Sequence, residues 1–164
     1  MSDWNSWLLI IAVVALAVGP VMMFKPSGGQ RKLAKLRGIA NRAGLRVRLA
    51  SGNNKALAGT ALYAMPWVHK PLRSLQWALV RKDYVHEIHL NDVWSWENST
   101  QVPDAVKALL AEEIPALPVS VMGVSAGAEG LGVNWSERGS EVELQAIMAW
   151  LTEMQNKLND KLAA

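Results

Sequence analysis

Residues 117–135 read LPVSVMGVSAGAEGLGVNW, and this stretch decides the fold class. The segment from Leu117 to Met122 is strand-like, and Val133 to Trp135 pairs with it as a hairpin if the glycines between them form the turn. Working outward, Ser140 begins a capping-box pattern, because Glu143 follows three residues later. A strand pair that leads into a helix, without regular βαβ alternation, indicates an α+β domain.

The helix after Ser140 is predicted to run to about Lys161, with an apolar face at helical spacing. A second helix is predicted over residues 102–111, with Pro103 at a tolerated first-turn position. Further short strands are predicted over residues 45–49, 58–64, 76–80 and 86–96. The expected domain, residues 45–164, therefore has short, mostly antiparallel strands and two helices.

The composition restricts the possible chemistry. The chain has 164 residues and no cysteine, which excludes a disulfide scaffold, a thiolate zinc site, an iron–sulfur cluster and a cysteine nucleophile. The net charge of +3 is unevenly spread, since residues 25–82 hold thirteen Lys or Arg and no acidic residue. Residues 83–164 hold four basic and thirteen acidic residues. This asymmetry predicts an anionic partner for the basic half.

The most apolar stretch runs from Trp7 to Phe24, WLLIIAVVALAVGPVMMF, eighteen residues without a charge. As a helix it would be about 27 Å long, close to the roughly 30 Å hydrocarbon core of a bilayer. No Lys or Arg precedes it, which argues against a cleaved signal peptide. The sequence therefore predicts a transmembrane helix over residues 7–24, in preference to a signal peptide or a buried core helix.

The flanking charges predict an orientation. Basic residues follow the apolar stretch and none precedes it. Because positive charge is held on the cytoplasmic side, residues 1–6 are expected to form a short external tail in the periplasm. The α+β domain, residues 45–164, is then expected in the cytoplasm of a bacterium, attached to its inner membrane as a single-pass protein.

Residues 25–44 are predicted to be a basic juxtamembrane linker and amphipathic helix. Apolar residues recur at three- and four-residue spacing from Gln30 to Ala43, and Gly44 is a plausible C-terminal cap. The helix either lies on anionic lipid headgroups or packs into the domain with its charges in solvent. Nucleic acid is disfavoured, because no nucleic-acid-binding motif accompanies the charges. The residues expected to contact anionic lipid are Lys25, Arg31, Lys32, Lys35, Arg37 and Arg42.

Two motifs resemble sites without having the required context. The segment Gly123–Gly127 matches the Gly-x-Ser-x-Gly nucleophile elbow, but no helix follows it and all three histidines precede Ser125. His86 and His89 lie three residues apart on a predicted strand, so they would point to opposite faces and not share a metal. The sequence therefore predicts no catalytic, cofactor-binding or metal-binding residue and no cofactor.

Aromatic and aliphatic residues allow a partner surface as an alternative to core packing. Trp94 and Trp96 would share one face of a strand, and tryptophan is enriched at interfaces. The apolar face of the last helix could likewise be a seam for a partner helix. The possible partner surface consists of Trp94, Trp96, Leu151, Met154 and Leu158.

Residues 25–32, KPSGGQRK, together with the apolar stretch, resemble the YajC-type accessory subunits of the bacterial protein translocase. Those are small single-pass proteins with an external N-terminus and a compact cytoplasmic domain. Residues 36–49, 77–81 and 133–139 are similar to segments of uncharacterised proteobacterial single-pass inner-membrane proteins. The first resemblance implies a role beside the translocase channel, and neither implies a functional residue.

The expected function is a non-enzymatic, membrane-anchored protein whose cytoplasmic domain binds a protein partner at the inner membrane. The expected partners are the lipid bilayer, anionic lipid headgroups and another inner-membrane or cytoplasmic protein. The alternatives left open are an accessory subunit of the protein translocase and an enzyme of unrecognised type.

Overall fold

A computed structural model of the protein describes residues 3–23, 27–50, 54–68, 70–82, 89–91, 93–97 and 102–163. The helices in these residues are α1 (Asp3–Met23), α2 (Gly28–Arg42), α3 (Asp104–Glu113) and α4 (Glu141–Ala163). The strands are β1 (Arg46–Leu49), β2 (Ala61–Met65), β3 (Trp77–Arg81), β4 (His89–Asn91), β5 (Trp94–Trp96), β6 (Val121–Gly127) and β7 (Gly130–Trp135). Short 3₁₀ turns lie at Lys55–Leu57, Lys70–Ser74 and Ile114–Ala116. The chain divides into two compact units, residues 1–35 and residues 36–164.

The apolar stretch forms most of α1, but the helix begins at Asp3 and so includes a polar first turn. The side chains described in it, Trp4 and residues 6–16, are exposed, and Phe24 lies outside the described residues. Among the described residues, no helix combines the length and the apolar character needed to cross a membrane. The predicted transmembrane helix over residues 7–24 is therefore wrong, as is the description of residues 25–44 as juxtamembrane. That prediction rested on the uncharged run alone, whereas the helix that forms also includes the polar residues Asp3, Asn5 and Ser6.

Helix α2 covers most of the predicted basic helix. Ser27 caps the helix, because its Oγ accepts a hydrogen bond from the backbone N–H of Gln30 (3.3 Å). In return, the side-chain Oε1 of Gln30 accepts one from the backbone N–H of Ser27 (3.0 Å). At the other end, Gly44 has a φ of +86° and the Leu45 amide donates to the Ala40 carbonyl. Ala40 is completely buried in the core of the second unit, so the C-terminal half of α2 packs into the domain.

The strands of the second unit form one antiparallel sheet in the order β1-β2-β7-β6-β3-β5-β4. Strands β6 and β7 are the predicted hairpin, shifted relative to the prediction: β6 starts at Val121 and continues through the glycine-rich segment to Gly127. Val124 pairs with Val133 and Gly127 with Gly130, which leaves Ala128 and Glu129 as the turn. The hairpin lies in the middle of the sheet, because β2 pairs with β7 and β3 pairs with β6.

Alternation along the strands separates two faces of the sheet. Residues such as Tyr63, Val124 and Trp135 point to one face, where they share a single core with the buried residues of α2, α3 and α4. Their neighbours along each strand point the other way. We call this second face, in the described residues, the open face, and it carries Arg46, Arg48, Leu62, Ala64, Ala78, Gly123, Ser125, Gly132 and Asn134.

The residues predicted as a possible partner surface lie in the core instead. Leu151 and Leu158 have no exposed area, and Met154 is 1% exposed. Trp94 is 2% exposed, and Trp96 is partly buried against the same core. Trp94 and the three α4 residues are held by the domain's own packing, so the apolar face of α4 has the ordinary structural role of a core-facing stripe, whereas Trp96 keeps some exposed area.

Candidate functional site

Small residues form the floor of the open face. On β6, Gly123, Ser125 and Gly127 occur at every second position, which is the period that places side chains on one face of a strand. Gly132 on β7 and Ala64 on β2 are paired in register beside Ser125. A Cβ atom at Gly132 would lie 2.8 Å from Leu62 Cδ1. Glycine at this position therefore lets the Leu62 side chain lie close to the sheet.

Two cavities lie over this floor, and a third shares a lining residue with the first. The first, of about 350 Å³, is lined by Arg48, Leu49, Ala50, Asn54, Leu57, Ala58, Leu62, Ser125 and Asn134. The second, of about 200 Å³, shares Leu62 and Ser125 with the first and extends to the β6–β7 turn. The third, of about 410 Å³, shares Asn54 with the first and extends towards Lys82 and Trp96. The three cavities adjoin and form an elongated groove.

Polar groups that lack partners line the first cavity. Asn134 is 7% exposed, and its amide makes one long hydrogen bond, from Nδ2 to Thr60 Oγ1 at 3.5 Å. Its Oδ1 accepts no hydrogen bond from a described residue, and the Ser125 hydroxyl makes none with one. Both groups line a cavity that is open at the surface, so they are available to a bound molecule.

An exposed ion pair extends across the groove. Arg48 on β1 holds the carboxylate of Glu129, in the β6–β7 turn, through two contacts: Nη1 to Oε2 at 3.0 Å and Nη2 to Oε1 at 3.1 Å. The two side chains are 59% and 52% exposed. Arg48 lines the first cavity and Glu129 lines the second, so the pair lies above the point where the two cavities meet.

No protein family, curated protein or solved structure matches this chain. The resemblance of residues 25–32 to the YajC-type subunits is tested by none of these comparisons and stays a prediction. The open face has the features of a binding site. It presents hydrogen-bonding groups, aliphatic surface and two guanidinium groups, which are the components of a binding site.

A second cluster, on the helix-covered side, has a structural role. Arg37 of α2 donates to Glu137, from Nε to Oε1 at 2.7 Å and from Nη2 to Oε2 at 2.5 Å, and the Tyr63 hydroxyl donates to Oε1 at 2.7 Å. Glu137 is 8% exposed and has a φ of +57°, a conformation that non-glycine residues rarely adopt. These bonds fasten the segment after β7 to α2 and β2, and we call them the Glu137 latch.

The latch changes the acidity of its members. Burial by itself raises the pKa of Glu137, but the hydrogen bonds from Arg37 and Tyr63 stabilise the carboxylate more strongly and hold this pKa below its ordinary value. Burial and the Glu137 charge raise the pKa of Tyr63. The hydrogen bond to Glu137 likewise raises the pKa of Arg37. All three groups are therefore held in the protonation states that bind one another.

The predicted lipid-contacting residues have different environments. Arg31, Lys32, Lys35 and Arg42 have exposed side chains, and Lys25 lies outside the described residues. Arg37 is the exception, because its guanidinium is bound to Glu137. A basic residue in a charge-rich helix can be fixed by a carboxylate that is distant in sequence, and the pattern of charges does not reveal this.

The other motifs do not form sites in the described residues. Ser125 lies in the middle of strand β6 and is followed by a turn and β7, not by the helix that a nucleophile elbow requires. No group of three His, Asp or Glu residues able to hold a metal occurs among the residues whose structure is described. His69 and His86 lie outside that part of the chain.

Sequence reasoning missed the open face, although a signal was present. Gly123, Ser125 and Gly127 were interpreted as an elbow motif or a loop, yet their spacing of two is also the pattern of a strand with one small-residue face. Arg48 was identified as part of a half-buried basic strand. Nothing in the sequence indicated that Glu129, 81 residues away, would contact it.

Proposed function

We propose that the protein is a non-enzymatic binding protein whose α+β domain docks a protein partner on the open face. The observation that carries the proposal is the elongated groove over Ser125, where the Ser125 hydroxyl and Asn134 Oδ1 make no hydrogen bond with a described residue, and where the buried residues of α2, α3 and α4 pack on the opposite face of the sheet. A surface that combines aliphatic side chains with unsatisfied polar groups is stabilised when another chain covers it.

The shape of the groove favours a protein segment over a small substrate. Its three cavities follow one another across the strands, through the shared residues Leu62, Ser125 and Asn54. An extended segment could reach successive cavities with alternate side chains. The charged residues that line the two cavities containing Ser125 are Arg48 and Glu129, which neutralise each other and do not form an acid–base set around a nucleophile.

Site-specific photo-crosslinking tests this proposal. A benzophenone amino acid placed at Ser125 in the full chain, in cells that naturally make the protein, is expected to give a discrete covalent adduct with another protein. The matched control is the same probe at Val142, which is 74% exposed on α4, on the other side of the domain. It is expected to give no such adduct.

A variant that fills the groove separates docking from accidental contact. Ala64 lines the second cavity, so Ala64→Leu should occupy it and reduce the Ser125 adduct severalfold while the domain stays folded by circular dichroism. An adduct that is equally abundant at Val142, or one that Ala64→Leu leaves unchanged, would contradict docking on the open face.

A further inference from the structure

We propose that Arg48 is a carboxylate-binding residue for an acidic side chain of an extended protein segment, and that Glu129 occupies this position in the unbound protein. This inference rests on the proposed function and names the chemistry of the partner. Glu129 thus competes with the partner's carboxylate for Arg48.

The pair itself shows which ligand the site accepts. Both terminal nitrogens of Arg48 contact the two oxygens of one carboxylate, at 3.0 and 3.1 Å. This two-point geometry suits carboxylates, because the planar guanidinium matches their two oxygens. The side chain lies at the mouth of the first cavity, so a carboxylate bound there would bring the adjoining part of its chain over Leu62 and Ser125.

Glu129 is held weakly enough to be displaced. Each side chain of the pair is more than half exposed, and ion pairs in such positions contribute little to stability, because water screens them. A partner's carboxylate can regain the same two contacts with Arg48. It can add hydrogen bonds to Ser125 and Asn134 and cover Leu57 and Leu62, which Glu129 alone does not do.

The charge around the groove also favours an acidic partner. Arg46 is exposed on the open face, beside Arg48 on β1, and Lys55 is exposed and lines the third cavity. Neither residue makes an ion pair with a described residue. Once Glu129 is displaced, these cations provide complementary charge for further acidic residues of the same segment.

Equilibrium binding of two labelled peptides tests the inference. One peptide alternates Glu and Val, and the other alternates Gln and Val, so they differ in charge but not in extended shape. Each is titrated into the full chain with its natural sequence and into Arg48→Gln, Glu129→Gln and Arg73→Gln. Arg73 is the matched control, since it is exposed in the 3₁₀ turn that packs on α4 and makes no ion pair with a described residue.

We expect the Glu peptide to bind more tightly than the Gln peptide. Arg48→Gln should weaken binding of the Glu peptide about tenfold, because it removes charge-assisted hydrogen bonds. Glu129→Gln should tighten it about two- to fivefold, because the competing pair is exposed and weak. Arg73→Gln should leave the affinity unchanged. The opposite effects of Arg48→Gln and Glu129→Gln are the signature of competition for one carboxylate site.

Three results would overturn the inference: equal affinity for the two peptides, an equal loss in Arg73→Gln, or no gain in Glu129→Gln, including the case in which neither peptide binds. The photo-crosslink at Ser125 then separates the two proposals. If Arg48→Gln leaves that adduct intact, the carboxylate site is wrong and docking on the open face stands. If no adduct forms at Ser125 in the natural sequence, the docking proposal itself fails.

Discussion

Glu137→Gln is expected to lower the free energy of unfolding by about 3 kcal/mol at pH 7, because it removes the charge from a buried carboxylate with two charge-assisted hydrogen bonds to Arg37. Glutamine has nearly the shape of glutamate and meets the same backbone strain at a φ of +57°. The loss therefore measures the charge of the Glu137 latch and not its packing. Urea denaturation, monitored by tryptophan fluorescence, measures the free energy of unfolding of both proteins.

The effect of Glu137→Gln should depend on pH in a defined direction. The pKa of Glu137 is lowered in the folded protein from its ordinary value of 4.5. Its contribution is therefore fully present above the unfolded pKa and is lost as the pH falls through the lower, folded pKa. The stability difference between the natural protein and the variant should shrink as the solution is acidified below about pH 4.

Glu112→Gln is the matched control for this series, because Glu112 is exposed on α3 and makes no hydrogen bond or ion pair with a described residue. Glu112→Gln should change the free energy of unfolding by less than about 0.5 kcal/mol, both at pH 7 and below about pH 4. If Glu137→Gln were as mild as this control at neutral pH, the latch would contribute little. A difference that grew on acidification would contradict the lowered pKa.

Gly130→Ala is expected to be the second severe change, with a loss of about 3 kcal/mol or more in the free energy of unfolding. Gly130 has a φ of +151°, and a Cβ atom there would lie 2.0 Å from the Met65 carbonyl oxygen. Because that obstacle is the backbone of β2, it cannot rotate away as a side chain could. Thermal unfolding should show the loss as a lower melting temperature.

Gly127→Ala provides the comparison within the same hairpin. Gly127 pairs with Gly130 across the turn, but a Cβ atom at Gly127 would meet nothing within 4 Å. Its replacement should change stability by less than about 1 kcal/mol. Equal losses for the two glycines would mean that the hairpin requires flexibility in general. The close approach of Gly130 to β2 would then not be the cause.

The sequence predicts well the elements whose signals are local. The capping pattern at Ser140 and the apolar spacing after it predict α4, which begins at Glu141 as expected. The strand predicted at residues 76–80 is β3, displaced by one residue. In these segments the spacing of apolar residues and the local capping residues agree with the final packing, so tertiary contacts do not shift the boundaries far.

Strand β6 shows where local signals mislead. Glycine has low strand propensity, so residues 123–127 were expected to be a loop or motif. In the fold, β3 and β7 pair with β6 on both sides, and these ladders impose the extended conformation.

Side-chain contacts between residues distant in sequence could not be predicted either. Arg37 and Glu137 are 100 residues apart, and no pattern near either residue indicates the contact. The sequence therefore shows which residue types are present, but it does not show that the residues of the groove lie together.

Strand β1 lies at the border of the sheet, with β2 on one side and no further described strand on the other. Such an edge can recruit the same edge of another molecule and begin an intermolecular aggregate. Here Arg46, which makes no ion pair with a described residue, would be brought close to its own copy, and the repulsion between the two opposes that growth. Arg46, which we propose helps to attract an acidic partner, would thus also keep the molecule from assembling with itself.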